Sequence, residues 1–392
     1  MAASCQTQAD FTVRNLISGS CVVTGTSCSS LRGEDRSEAD GWHVVEGANS
    51  NGTAPGSRAS ALRRWLRRID RWRWGKDAKG RSPWARGRIL ASLAVLTAGL
   101  LAFHSAVPNT VGRLGSLLET FLPWLGLTIP VLLGLALLRR SVIALVAVLV
   151  PAAVWANHFG GLLLADPTAG RGAHDIIALQ HNVSDENTDP AGTAAALIKS
   201  APDLVALEEL TPSALPVYER ALAADYPYHA VAGSVGLWSR YPLADVRPLD
   251  IKPEGIGEGW SRGLRCSVRT PRGEIAAYVA HLPSVRVRLN GFSSGWRDES
   301  AGLLGAAIAA EKQDKLILLG DLNSTVDDRG LAPVTSRTDS TGRGFAFSWP
   351  AAFPMSRIDH IMTRSATVTG VWTLPATGSD HLPTAARIDL GP

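Results

Sequence analysis

Cysteine is scarce in this chain and is nowhere arranged as a metal or redox site. The four residues, Cys5, Cys21, Cys28 and Cys266, include no C-x-x-C pair, which excludes zinc-ribbon and thioredoxin-type chemistry. Cys266 stands alone in the C-terminal half, so that half forms no internal disulfide. Lysine is nearly absent, 6 against 33 arginines, a ratio that reflects a GC-rich genome rather than chemistry. Residues 166–392 also lack a positive excess. They hold 21 Lys/Arg against 26 Asp/Glu, a balance of −5, while residues 1–165 hold 18 against 9, a balance of +9. A nucleic-acid enzyme carries positive charge over its contact surface, and the C-terminal half does not have it. Residues 1–57 show neither sustained periodicity nor an apolar stretch near the start. They read as a disordered tail and not as a signal peptide.

Charge is missing altogether from two further stretches, 89–107 (ILASLAVLTAGLLAFHSAV) and 141–165 (SVIALVAVLVPAAVWANHFGGLLLA). Between them, 117–138 (LLETFLPWLGLTIPVLLGLALL) carries only Glu119. Each is near the ~20 apolar residues that cross a bilayer, and the internal prolines are tolerated in such helices. Three transmembrane helices are therefore expected over residues 89–165. The segment 58–88 precedes them with 12 basic residues against Asp70 and Asp77, interleaved with Trp65, Trp72, Trp74 and Trp84. It reads as a basic juxtamembrane segment on the cytoplasmic side. With Arg139–Arg140 as a second cytoplasmic turn, an odd number of spans sets everything after Ala165 outside the cell membrane. The expectation is a multi-pass membrane protein with a cytoplasmic N-terminus.

From residue 171 the pattern changes to short apolar strands, hairpins and helices. Strands are expected at 175–182, 203–210, 227–233, 235–240, 264–270, 274–282, 315–323, 356–364, 367–375 and 379–390. Helices are expected at 189–201, capped by Asp189 with Pro190 at its first position, and at 211–224 and 296–312. This mixed order suits two packed sheets flanked by helices. Polar residues stand where strands end: Asn182, Glu208–Glu209, His281, Asp321 and Asn323, Asp359–His360, and Asp380–His381. One such ending is an ordinary turn; six in one domain point to a site presented by strand-end loops. Carboxylates and an amide oxygen are hard ligands suited to Mg2+ or Mn2+. A His–Asp couple supplies a base or a donor. Phosphate-ester or phosphoanhydride hydrolysis needs this combination.

The ordered set QHN, VALEEL, GLWSRYP, AHL, LLGDLNST, SRIDHI and SDHLP resembles the endonuclease/exonuclease/phosphatase superfamily over residues 174–390. The resemblance implies a deoxyribonuclease-like four-layer α/β/β/α sandwich with its site at one edge of the paired sheets. It implies metal-side roles for Asn182, Glu209 and Asp380. His281 would contact the scissile phosphate. Asp321 would orient or deprotonate the attacking water, Asn323 would hold a phosphate oxygen, and His381 would be the catalytic imidazole oriented by Asp359. Glu208 stands where the family usually has Gln. Arg262 would be a further phosphate clamp, and Arg286 and Arg288 of the loop 284–296 would grip an anionic headgroup.

The arrangement of helices plus external domain also resembles actinobacterial teicoplanin-resistance membrane proteins. This implies a lipid-linked phosphate or pyrophosphate of the cell-wall carrier type as substrate and the bilayer as partner, with nucleic acid disfavoured. The competing readings are an extracellular nuclease, a nucleotide or phospholipid phosphodiesterase, and a non-enzymatic binder that keeps the fold.

Overall fold

The computed structural model describes residues 79–163, 175–289, 291–340 and 344–391. The expected tail 1–57 and most of the basic segment lie outside the described residues. The chain divides into units Met1–Arg71 and Trp72–Pro392, and only the second is described here.

Four apolar helices come first: α1 (Arg88–Ala102), α2 (Leu114–Thr120), α3 (Thr128–Leu138) and α4 (Val142–Leu163). α1, α3 and α4 pack through Leu90, Ala94, Leu132, Ala136, Ala144 and Val148. Their other faces leave Leu93, Leu96, Leu133, Leu137, Val146 and Leu149 exposed.

Three full-length spans are not what forms. α4 matches the third expected span and keeps Pro151 inside it. Among the described residues it alone is long and apolar enough to cross a membrane by itself. The first expected span stops being α-helical at Ala102 and continues as a short 3-10 turn, His104–Ala106. The second is bent by 70° between α2 and the run Leu122–Leu138. Pro123 removes an N–H at the bend. Just before it, Glu119 is drawn away from the helix run. Buried Glu119 accepts from Arg329, with Nη2 to Oε1 at 2.7 Å and the backbone N to Oε2 at 3.0 Å.

The remaining strands form two sheets. β1 (Ile176–Asn182), β2 (Leu204–Glu208), β3 (Tyr228–Ala232) and β4 (Val235–Ser239) are followed by β5 (Leu243–Pro248), β6 (Gly263–Thr270) and β7 (Gly273–Ala280). A small hairpin, β8 (Val287–Arg288) with β9 (Gly291–Phe292), precedes β10 (Leu316–Asp321), β11 (Asp359–Arg364), β12 (Thr367–Thr373) and β13 (Thr384–Asp389). One sheet runs β12-β13-β1-β2-β4-β3 and the other β11-β10-β7-β6-β5. Their facing surfaces share one core, with Ala178, Ala206 and Leu237 from the first and Val268, Ala277 and Leu319 from the second.

Helices cover both outer faces. α5 (Pro190–Ile198) and α6 (Leu215–Leu222) pack Leu197, Tyr218 and Leu222 on the six-stranded sheet. α7 (Gly295–Ala310) packs Leu304 and Ile308 on the five-stranded one. The Asp189 side chain caps α5 by accepting from Gly192 N at 2.9 Å, as its position in the sequence predicts. β5 was not expected from the sequence. As an edge strand with mostly exposed side chains and a terminal Pro248, it lacks the apolar signature of a central strand.

The helices and the sandwich are tied together by more than Glu119–Arg329. Arg113 pairs with Asp298, Phe292 N donates to Gly112 O at 2.9 Å, and Trp124 Nε1 donates to Met355 O at 2.6 Å. Arg329→Ala leaves the Glu119 carboxylate buried without its cation. We expect a loss of about 3–5 kcal/mol, read as a lower thermal midpoint of the detergent-solubilised protein. An unchanged midpoint would show the pair to be dispensable.

Candidate functional site

Alternation along the strands builds the site. In β1, Ile176 and Ala178 enter the inter-sheet core, so Asn182 continues that face. Leu204 and Ala206 of β2 lead to Glu208, Ala277 and Val279 of β7 lead to His281, and Ile317 and Leu319 of β10 lead to Asp321. β11 runs antiparallel to β10 and begins with Asp359, opposite Asp321 in register. The apolar inter-sheet face of five strands thus ends at one edge in polar groups. Gly320 explains the glycine of the GDLN stretch. Its φ is 151°, and a Cβ there would run into the carbonyl oxygen of Ala280 on the neighbouring strand.

Three of these groups form a compact buried cluster. Ligand atoms of Asp321, Asp359 and His381 lie within 4.8 Å of one another. His381 Nδ1 is 2.8 Å from Asp359 Oδ2, and its Nε2 is 3.8 Å from Asp321 Oδ2. Burial disfavours a charged His381, but the carboxylates of Asp359 and Asp321 outweigh it and push the imidazole up to about 10. Asp359 is likewise opposed by burial, yet His381 and its hydrogen bonds hold it below the usual carboxylate range. The couple is therefore an imidazolium–carboxylate pair at neutral pH. Asp321 behaves oppositely: burial, with Asp359 adding to it, raises its carboxyl to about 7 despite the His381 charge.

The other predicted residues gather around this cluster. Asn182 Nδ2 donates to Asp321 Oδ2 at 3.0 Å, and its Oδ1 accepts from Ser184 N at 3.0 Å. His281 Nε2 lies 3.7 Å from both Glu209 Oε1 and Asp321 Oδ2. Arg262 Nη1 faces the His281 ring nitrogens at 3.2 and 3.3 Å. Burial first, then Arg262 and His381, hold that imidazole well below its ordinary value, so it is neutral. Asn323 adopts a left-handed φ of 47°. Its backbone N donates to Asp321 Oδ1 at 2.9 Å and its Nδ2 to Leu282 O at 3.0 Å. Asp380 adds to the negative field that holds the His381 charge.

The expected metal-side residues Asn182, Glu209 and Asp380 are not the tightest group; Asp321, Asp359 and His381 are. Arg286 and Arg288 sit exposed on the β8–β9 hairpin segment, and no hydrogen bond among the described residues joins them to the cluster.

Glu208 and Glu209 are separated by backbone geometry. Glu208 keeps the alternation and is fully buried, with neither carboxylate oxygen partnered. Glu209 has φ 60°, which breaks the alternation and returns its carboxylate to the site, where Oε2 accepts from Asp185 N at 3.2 Å. Burial, with Asp359 and Asp321 nearby, pushes the Glu208 carboxyl well up. A neutral Glu208 has the shape of Gln. Glu208→Gln is therefore expected to keep kcat/KM within about twofold; a loss beyond about tenfold would make its ionised form part of the site.

Sequence reasoning missed several supports. Ser348 Oγ donates to Asp359 Oδ2 at 2.5 Å. Ser379 Oγ donates to Asn182 O at 2.6 Å and accepts from His381 N at 3.0 Å. Fully buried Arg297 donates to Asn323 O at 3.2 Å and to Asp328 Oδ2 at 2.6 Å, steadying the loop after Asp321. Only Ser379 had a signal, its place beside the Asp380–His381 pair. His360 is a structural neighbour: its Nε2 donates to Ser324 O at 2.7 Å, and burial pushes the ring down to about 3.

A hard divalent cation fits this donor set. The groups are oxygen-rich, and Asp321 is raised in part by an acid neighbour that a cation would offset.

Comparison with known proteins identifies the family. A family model described as the Endonuclease/Exonuclease/phosphatase family matches residues 179–381. No curated protein matches the chain in sequence. Solved structures of similar fold include an endonuclease/exonuclease/phosphatase from Beutenbergia cavernae DSM 12333, 18% identical, covering 56% of this chain and 72% of that one, with a TM-score of 0.44. Mannosyl-6-phosphatase Bt3783 of Bacteroides thetaiotaomicron VPI-5482 is 17% identical, covering 54% of this chain and 99% of that one, with a TM-score of 0.44. A beta toxin variant of Staphylococcus aureus with bound magnesium ions is 15% identical, covering 54% of this chain and 99% of that one, with a TM-score of 0.43. These likenesses concern fold alone, and the family assignment rests on the sequence match. Members of that family are generally phosphoester hydrolases. The match spans more than half of the chain, and this protein belongs to the endonuclease/exonuclease/phosphatase family.

Proposed function

We propose that the chain is a membrane-anchored phosphohydrolase that cleaves a lipid-linked phosphate or pyrophosphate, with Mg2+ or Mn2+ as its cofactor. The observation that carries this reading is the proximity of the acid–imidazole cluster to the apolar helices. Ser348, bonded to Asp359, directly follows Phe347, whose ring stacks on Trp124 at 5.7 Å. The basic residues Arg88, Arg139 and Arg140 lie at the opposite ends of α1, α3 and α4, which supports a sandwich outside the cytoplasm. The mildly acidic C-terminal half argues against DNA as substrate.

In this reading Glu209 and Asn182, with Asp380 nearby, would hold the cation, which would supply charge to neutralise phosphate oxygens. Asp321 accepts a proton from the attacking water, whose oxygen bonds to phosphorus as the P–O bond breaks; the displaced oxygen leaves as the lipid phosphate of an anhydride or, taking a proton from solvent, as the alcohol of an ester. The His381 imidazolium, held charged by Asp359, donates from Nε2 to a phosphoryl oxygen. Neutral His281 and Arg262 grip the phosphate from the other side, with Asn323 as a further donor. The substrate class would be a cell-wall carrier lipid, and loss of the gene would lower tolerance to teicoplanin.

The test sets purified full-length protein and Mg2+ against polyprenyl pyrophosphate in one tube and plasmid DNA in another. Phosphate release without nicking is expected. Robust nicking without phosphate release would replace the lipid reading with a nuclease.

A further inference from the structure

A cavity of about 460 Å³ lies where the apolar helices meet the sandwich. Its helix-side wall includes Trp124, Leu127, Pro130 and Trp155, and its sandwich-side wall is Phe345 and Phe347. The volume falls in the ~300–1,000 Å³ range of ligand sites. The two indole N–H groups make no polar demand on an occupant: Trp124 Nε1 donates to Met355 O at 2.6 Å and Trp155 Nε1 to Pro123 O at 2.8 Å. What remains toward the cavity is ring face and hydrocarbon. Gly126 keeps the Trp155 ring in place, since a Cβ at Gly126 would run into it.

Both ends of the groove indicate its occupant. At one end Leu127, directly before α3, and Leu163, the last residue of α4, are exposed. At the other end Phe347 precedes Ser348, which bonds the carboxylate that holds His381. The groove wall and the acid–imidazole cluster are thus joined through two consecutive residues, Phe347 and Ser348. An amphiphile with one hydrocarbon chain and a terminal phosphate has a matching form. A nucleotide does not, because its polar base and sugar would lose water without partners here.

We propose that this groove binds the hydrocarbon chain of the lipid phosphate, admitting it sideways from the bilayer and holding the phosphate at the cluster. The proposal rests on the hydrolase reading for its substrate class and adds where the chain lies. It predicts that chain length sets kcat/KM through the groove, since each buried methylene contributes favourably.

Two measurements separate the groove from the hydrolase reading. First, Ala152, which lines the groove on α4, is changed to Trp in the full-length protein. Hydrolysis is compared for a long-chain isoprenyl phosphate and its short, water-soluble prenyl homologue. Ala152→Trp is expected to lower kcat/KM about tenfold on the long substrate and to leave the short one unchanged. The unchanged rate also reports an intact catalytic edge. Equal rates for variant and wild type on both substrates would overturn the proposal. Second, the wild-type protein in nanodiscs is irradiated with a long-chain alkyl phosphate carrying a diazirine in its chain. Labels are expected on peptides containing 123–130 and 345–347. Labelled groove without any hydrolysis would leave the groove standing and remove the hydrolase. Hydrolysis with labels only elsewhere would do the reverse.

Discussion

His381→Ala is expected to lower kcat/KM for phosphoester hydrolysis by about a thousandfold while the sandwich stays folded. Of the four buried imidazoles, His181, His281, His360 and His381, only the last is raised rather than lowered. Burial alone would neutralise it; Asp359 at 2.8 Å and Asp321 at 3.8 Å prevent this. A charged donor aimed into the proposed phosphate site would be stabilising where negative charge develops. Asp359→Asn should therefore cost nearly as much, and it should also move the alkaline limb of the pH–rate profile to lower pH. The direction follows from removing the charge that keeps the imidazole protonated. The same pair gives a stability signature. Because His381 is raised from 6.5 to about 10, its contribution is complete below about 6.5 and is lost as pH rises toward 10. The variant Asp359→Asn should lose most of that pH dependence. A His381→Ala enzyme with near-normal turnover would remove the imidazole from the mechanism.

Glu209→Ala is expected to have an effect of similar size by a different route. Its carboxylate reaches the site only because residue 209 adopts φ 60°, a conformation that costs about 1–3 kcal/mol in a non-glycine residue. The side chain is 24% exposed and accepts one backbone bond, from Asp185 N, so packing does not account for its place. As a cation ligand it would account for it. The variant should be slowed about a thousandfold at low Mg2+ and partly restored by raised Mg2+, with a thermal midpoint close to wild type. A loss that Mg2+ does not relieve, together with a lower midpoint, would make Glu209 a structural residue.

Much of the sandwich was legible in the sequence because period-two alternation and strand-end polarity are local signals. Asn182, His281, Asp321 and Asp359 all end apolar inward faces, and they converge. The Glu208–Glu209 pair shows the limit. Two adjacent acids have the same local appearance, and only the left-handed backbone at 209 decides which carboxylate faces the site. Ser348 and Arg297 were illegible for another reason. Ser348 belongs to an irregular loop and Arg297 to a helix face, and each is defined by a partner far along the chain, Asp359 or Asn323. The apolar runs were visible, but their lengths as helices were not. The break after Thr120 lies beside Glu119, whose partner Arg329 is 210 residues away in sequence.

We propose that this edge of the sandwich hydrolyses a lipid phosphate with a divalent cation. The most direct test is phosphate release from a long-chain isoprenyl phosphate in vesicles by the full-length protein, titrated with Mg2+ and then with a chelator. Saturable, Mg2+-dependent release is expected, abolished by chelation and absent in His381→Ala. Release that persists in chelator, or that His381→Ala performs as well as the wild type, would contradict it.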